Sequence, residues 1–255
     1  MKFSRFILLL IVMICFAIIF FILITYGLSN ENDSYLLKRP LSKFITDKAS
    51  NITVKSDTII LEDGTMVYYL EAKSPNNIKN RGNLLYLHGA AFSSRDWNRN
   101  KPSILQISAA AGYRTIAIDL PGFSQSRTRT GTSFYNSSAF MSSVIKKLNI
   151  QKPIIISPSA SGSYSAYYVI ENKETIGAFI PVAPCCVRNY DWKNFKIPTL
   201  LIYGSDDKAS ISERLLQIPH RKLVIIPDAP HAAYIKKPID FITALINFLY
   251  FINFS

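Results

Sequence analysis

The sequence predicts an α/β protein in which a mostly parallel sheet is covered by helices on both faces. Three observations carry that expectation. Short, almost uninterrupted apolar runs recur along the chain, each closed by Gly, Pro, Asp or Ser. Between them lie segments whose apolar residues repeat at helical spacing. Ahead of both stands "TIILEDGTMVYYLEA", in which Asp63-Gly64 separates two strand-like runs, the pattern of a hairpin. The 255 residues are 49% hydrophobic and 18% charged, enough for one sizeable core. No repeat with a period of about 20–50 residues is apparent.

After the hairpin, "NLLYLHG" (83–89) reads as a strand buried on both faces, and a helix over "SILQISAAAG" follows it. The strand "YRTIAID" (113–119) precedes a helix near "AFMSSVIKKLN". "KPIII" (152–156) is the central strand and feeds a helix from about Ala160 to Asn172. "GAFIPVA" (177–183) and "PTLLIYG" (198–204) are further strands. A short helix around "ISERLLQ" leads to the strand "KLVIIPD" (222–228), and an amphipathic, aromatic-rich helix from about Pro238 closes the chain. In open sheets of this kind reactive groups gather at the carboxyl ends of the strands.

The amino terminus is of another kind. From Phe6 to Thr25 no residue is charged, and at about 1.5 Å of rise per residue a helix there spans roughly 30 Å, the hydrocarbon thickness of a bilayer. Lys2 and Arg5 precede it, while Glu31 and Asp33 follow, a distribution that keeps residues 1–5 cytoplasmic. The expected organisation is therefore a signal-anchor over 6–26, a polar stalk over 27–56 and a globular domain over 57–255, lumenal or extracellular. The alternative is a secretory signal cleaved near Gly27-Leu28-Ser29. Asn32, Asn51, Asn136 and Asn253 each begin a tripeptide that could accept a glycan on the far side of the membrane.

The formal charge of +12 comes from scattered residues, with no basic run and no basic helix face, so nucleic acid is not an expected partner. The positive charge favours anionic substrates or surfaces. Cys15 falls in the apolar segment, and Cys185-Cys186 make neither a zinc pattern nor a disulfide framework. They read as two small buried residues, and no metal or cofactor is implied.

One stretch points to chemistry. In "IIISPSASG" (154–162) three isoleucines run into five small residues around Pro158. A nucleophile held on a sharp strand-to-helix turn needs small residues two positions before and after it. Ser159 meets this through Ser157 and Ser161, with Gly162 at the close strand–helix contact. Ser157 would place Ile155 at a small position, and Ser161 lies too far past the isoleucines. A serine hydroxyl needs a base, and the base an acid. The three histidines are His88 after the first buried strand, His220 in "IPHRK" and His231 in "DAPHAAY" beyond the last strand. For the acid, "LLIYGSDD" offers Asp206 and Asp207 at a strand end.

Nucleophile after a central strand, acid after a later one and histidine after the last is an order that resembles the alpha/beta-hydrolase superfamily. The resemblance implies Ser159, Asp207 and His231 as the catalytic residues, Asp207 being favoured over Asp206 by the spacing Gly204-Ser205-Asp206-Asp207. "LHGAAFSSRDW" is similar to the superfamily's oxyanion loop, which implies the backbone N–H groups of Ala90 and Ala160 as the oxyanion hole. "DLPGFSQS" (119–126) resembles a structural turn, so Asp119 is not the acid, and His88 supports its loop. The Ser-x-Ser-x-Ser-Gly elbow, "FSS..W" after His-Gly and "HAAY" together resemble the alpha/beta-hydrolase-domain-containing protein 14 family over roughly residues 57–250. Its type A branch carries an amino-terminal membrane anchor. Serine instead of glycine at 157 and 161 departs from the wider superfamily and tightens the elbow.

Only "PCCVRNYDWKNFKI" separates "GAFIPVA" from "PTLLIYG", too little for the lid that many relatives insert there. No cap domain is expected, and the pocket should be open, suited to a small acyl group on a larger carrier. The expected activity is a serine hydrolase that cleaves small acyl ester, thioester or amide bonds through an acyl-enzyme. Two rivals stand beside it: a non-catalytic adhesion or receptor protein on the same scaffold, and an acyltransferase to an acceptor other than water.

Overall fold

The computed structural model describes residues 37–127, 137–207 and 213–254. They form one eight-stranded sheet in the order β1-β2-β4-β3-β5-β6-β7-β8. β1 (Val54–Ile60) and β2 (Met66–Ala72) are the expected hairpin, and β2 pairs antiparallel with β4 (Tyr113–Ile118). From β4 onward β3 (Gly82–Tyr86), β5 (Ile154–Pro158), β6 (Ala178–Val182), β7 (Leu200–Gly204) and β8 (Lys222–Ile226) run parallel.

Successive side chains of a strand point to opposite faces. Ile154 and Ile156 therefore enter one core and Ile155 the other, as Leu84 and Tyr86 separate from Leu85 and Leu87. Every residue of β5, β6 and β7 is buried, which is why these runs are continuously apolar rather than alternating. Each buried isoleucine contributes about 1.5–3 kcal/mol of burial.

One face is covered by α1 (Lys43–Ala49), α2 (Ile104–Ala110), α5 (Ala233–Lys236) and α6 (Pro238–Phe254). The other is covered by α3 (Ser137–Lys147), α4 (Gly162–Glu171) and the connection from β6 to β7. In α6, Phe241, Leu245, Phe248 and Leu249 recur at helical spacing and are all buried. α2 begins with a reciprocal cap: Ser103 Oγ accepts from the Gln106 N–H, and Gln106 Oε1 from the Ser103 N–H. Gln106 also donates to the Ile52 carbonyl at 2.6 Å, which ties the chain after α1 to the domain.

That tie belongs to a correction. The stretch expected as a stalk over 27–56 is, from Leu37 on, part of the folded body: Leu37, Ile45, Ala49 and Ile52 are buried in the core. Ile45 and Ala49 stand four apart on one face of α1, which packs on α2. The domain thus begins well before residue 57. The expected span over 6–26, with Asn32 and Asn136, lies outside the described residues. Among the described residues no helix is long and apolar enough to cross a membrane. Of the other two glycan positions, Asn51 is exposed in the turn after α1. Asn253 is not suited: its Nδ2 donates to the Tyr113 hydroxyl at 2.9 Å and to the Leu249 carbonyl at 2.8 Å.

Candidate active site

The strand β5 ends at Pro158, and Ser159 opens a short 3-10 turn that runs into α4. Ser159 has φ +49°, a left-handed conformation that a non-glycine residue adopts only when its surroundings enforce it. Three contacts enforce it here. The Cys185 amide donates to the Ser159 carbonyl at 2.9 Å. Gly162 lies so close to the chain after β6 that a Cβ there would overlap the Cys185 carbonyl oxygen.

The third contact is a chain of hydroxyls behind the turn. Ser161 Oγ donates to the Pro158 carbonyl at 2.7 Å, so it can only accept from Ser157 Oγ, 3.0 Å away. Ser157 has then given its one proton and accepts from Ser165 Oγ at 2.6 Å. All three serines are fully buried, and this network lets serine replace glycine at 157 and 161 without orphaned hydroxyls.

Across the cleft, β7 ends at Gly204, where a Cβ would overlap the Ala229 and Pro230 carbonyl oxygens. The glycine lets the carboxylate turn approach the loop that carries His231. The Ser205 amide donates to Ile226, and the Asp206 amide to Ala229. The two neighbouring acids then part. Asp206 is exposed and accepts from its neighbour Ser205 Oγ. Asp207 turns inward, with its side chain 7% exposed, and its Oδ2 lies 2.9 Å from His231 Nδ1. His231 Nε2 lies 2.8 Å from Ser159 Oγ. Because an ionised carboxylate only accepts, Nδ1 carries the imidazole proton and Nε2 is the acceptor for the serine hydroxyl.

His231 is backed by aromatic packing. Tyr234, three residues on, stacks on Trp97 at 4.3 Å between ring centres and meets Phe92 edge-on at 5.9 Å. Trp97 is fully buried and donates from Nε1 to the Leu87 carbonyl at 2.8 Å. The "FSS..W" and "HAAY" motifs thus pack against one another, which accounts for their joint presence.

The loop after β3 starts with His88-Gly89-Ala90. His88 is buried, and burial lowers its pKa below the usual histidine value. It accepts from the Leu120 amide on Nε2 at 2.9 Å and donates from Nδ1 to the Gly89 carbonyl at 2.8 Å. The Phe92 amide donates to the same carbonyl at 3.1 Å. In a trans peptide the next N–H points opposite to that carbonyl, so anchoring Gly89 fixes the direction of the Ala90 N–H. Among the described residues neither the Ala90 nor the Ala160 amide has a backbone acceptor. Both are free to donate to a ligand. Asp119 is buried and accepts from the Ser94 and Gln125 amides at 2.7 and 3.0 Å, a structural role. His220 is exposed and, among the described residues, takes no part in the Ser159–His231–Asp207 hydrogen bonds.

The sequence profile of the alpha/beta hydrolase fold matches residues 82–193. Protein ABHD14A of Mus musculus is 34% identical over 209 residues, which cover 79% of this chain and 83% of that protein. "Putative protein-lysine deacylase ABHD14B" of Homo sapiens is 33% identical over 79% of this chain and 98% of its own length. The chain belongs to the alpha/beta-hydrolase-domain-containing protein 14 family. The family's fold is also seen in a predicted CIB-like hydrolase from Thermoplasma acidophilum, with a TM-score of 0.69 and 24% identity over 78% of this chain and 98% of that one.

Within this family member the expectation for the cysteines needs correcting. Cys186 is exposed at φ +64°, and Cys185 is half-buried, with burial pushing its thiol up to about 12. Sequence reading also missed Ser165, whose signal was its spacing of four from Ser161 along a helix. The connection from β6 to β7 buries Val187, Trp192 and Phe195 against β6 and builds no cap.

Proposed function

We propose that this protein is a serine hydrolase acting on small acyl esters, thioesters or amides. The hydrogen-bond chain from Ser159 through His231 to Asp207, at 2.8 and 2.9 Å, carries the reading. His231 Nε2 takes the Ser159 proton as Oγ attacks the acyl carbonyl, and the N–H groups of Ala90 and Ala160 receive the negative oxygen. Collapse of the tetrahedral species expels the leaving group, which takes its proton from His231. Water, deprotonated by His231 in turn, then releases the acid and restores Ser159. Asp207 holds the Nδ1–H tautomer and stabilises the imidazolium throughout.

A site without a cap favours a short acyl group on a larger carrier. The human relative's name, with its provisional deacylase activity, favours an acyl-lysine amide as that carrier. A fluorophosphonate probe tests the reading. The wild type is expected to label and Ser159→Ala to remain unlabelled with its fold intact. A folded wild type that does not label would favour a non-catalytic scaffold instead.

We also propose that residues 6–26 anchor the protein as a single-pass type II membrane protein, with the domain lumenal or extracellular. Support comes from the uncharged length of the segment and the charges flanking it. Asn51 reports on this: in cells it is expected to carry an endoglycosidase-sensitive glycan that Asn51→Gln removes. An unmodified Asn51 in membrane-bound protein would reverse the assigned orientation.

A further inference from the structure

Beside the Ala90 amide an open cleft of about 660 Å³ lies between the loop after β3 and the turn after β4. Its walls combine Phe92 and Phe123 with Arg95, Arg99 and Asp96. The charges do not cancel. Asp96 accepts from Arg99 Nη2 at 2.6 Å and, on its other oxygen, from the Ser93 amide at 2.7 Å. Among the described residues no carboxylate pairs with Arg95. With the Gln125 side-chain amide turned so that its oxygen faces the guanidinium, Arg95 Nε and Nη2 donate to that neutral oxygen, and the Gln125 backbone N–H donates to buried Asp119. The guanidinium is thus positioned, exposed and uncompensated, with N–H groups left for a ligand.

The cleft's place relative to the imidazole says which part of a substrate enters it. The leaving group must stand beside His231, because it takes its proton there. No residue of the His231 or Asp207 loops lines this cleft, whereas the oxyanion donor Ala90 does. Of the two parts of a substrate, the acyl portion is the one this placement beside Ala90 directs toward the cleft. We propose that the cleft recognises the acyl group of a dicarboxylic acid, such as succinyl, with the free carboxylate held by Arg95 and the methylenes against Phe92 and Phe123. This rests on the hydrolase reading above and narrows its substrate class.

The test compares p-nitrophenyl hemisuccinate with p-nitrophenyl butyrate, equal in chain length and different in charge, on the full-length protein. Wild type is expected to favour the hemisuccinate in kcat/KM by about tenfold, the scale of one exposed charge-assisted hydrogen bond. Arg95→Gln should bring the two to near parity while leaving butyrate within about twofold of wild type. Lys146→Gln, which removes an equal charge from the exposed Lys146–Glu62 pair, should keep the preference. Parity in the wild type, a preference that survives Arg95→Gln, or a stronger response to a carboxylate on the phenol side would each overturn the proposal.

Binding separates this outcome from failure of the hydrolase reading. Ser159→Ala should bind N-methylsuccinamate about tenfold more tightly than N-methylbutyramide, and Ser159→Ala/Arg95→Gln should bind them alike. Equal binding by Ser159→Ala would sink the cleft assignment whether or not the protein turns over esters.

Discussion

Ser159 and His231 meet across 2.8 Å, yet the chain holds them by opposite means. The serine sits on a strained turn braced by fully buried hydroxyls, by the Cys185 amide and by the close approach at Gly162. The histidine side chain is 41% exposed, held at Nδ1 by one carboxylate and anchored three residues on by the Tyr234–Trp97 stack. Short polar contacts fix a backbone; ring packing fixes the base of an arm and leaves its tip free to turn. The difference suits the proposed chemistry, in which the nucleophile stays put while the imidazole serves first Oγ, then the leaving group, then water.

The comparison can be broken from either side. Asp207→Asn attacks the arm: the amide can no longer impose the Nδ1–H tautomer, and kcat is expected to fall by about 10⁴ with melting temperature nearly unchanged. The same change at exposed Asp206 should alter kcat less than about twofold. Equal losses at the two positions, measured with one ester substrate, would remove Asp207 from the chain. Ser157→Ala attacks the turn and should have the smaller effect. It strands the Ser165 proton in a buried site, costing about 1–3 kcal/mol in denaturant unfolding. Activity should then fall less than about tenfold, because Oγ still faces His231. Unchanged stability would mean that the buried hydroxyls do not brace the turn.

Much of this was legible in the sequence, for reasons that differ by element. β5, β6 and β7 announce themselves because strands buried on both faces must be apolar throughout. Ser159 was legible because a sharp turn restricts its neighbours at two positions, a steric rule that leaves a trace in one dimension. The choice of Asp207 needed family spacing, since what separates it from Asp206 is the direction each side chain takes after Gly204. α1 was hidden by its mixed sequence: of its three apolar residues Phe44 is exposed and only Ile45 and Ala49 are buried, among lysines, threonine and aspartate. Arg95 was invisible for a related reason. A scattered cation gains meaning only from which carboxylates it lacks in space, and a sequence does not record that.

The serine chain behind the elbow runs one way, from Ser165 through Ser157 and Ser161 to the Pro158 carbonyl. It follows that positions 157, 161 and 165 vary as a block. Glycine at 157 alone would strand Ser165, and glycine at 161 alone would oblige Ser157 and Ser165 to reverse their donors. A route from this elbow to the glycine-flanked form passes through less stable intermediates unless several sites change together, so their individual substitutions will not sum.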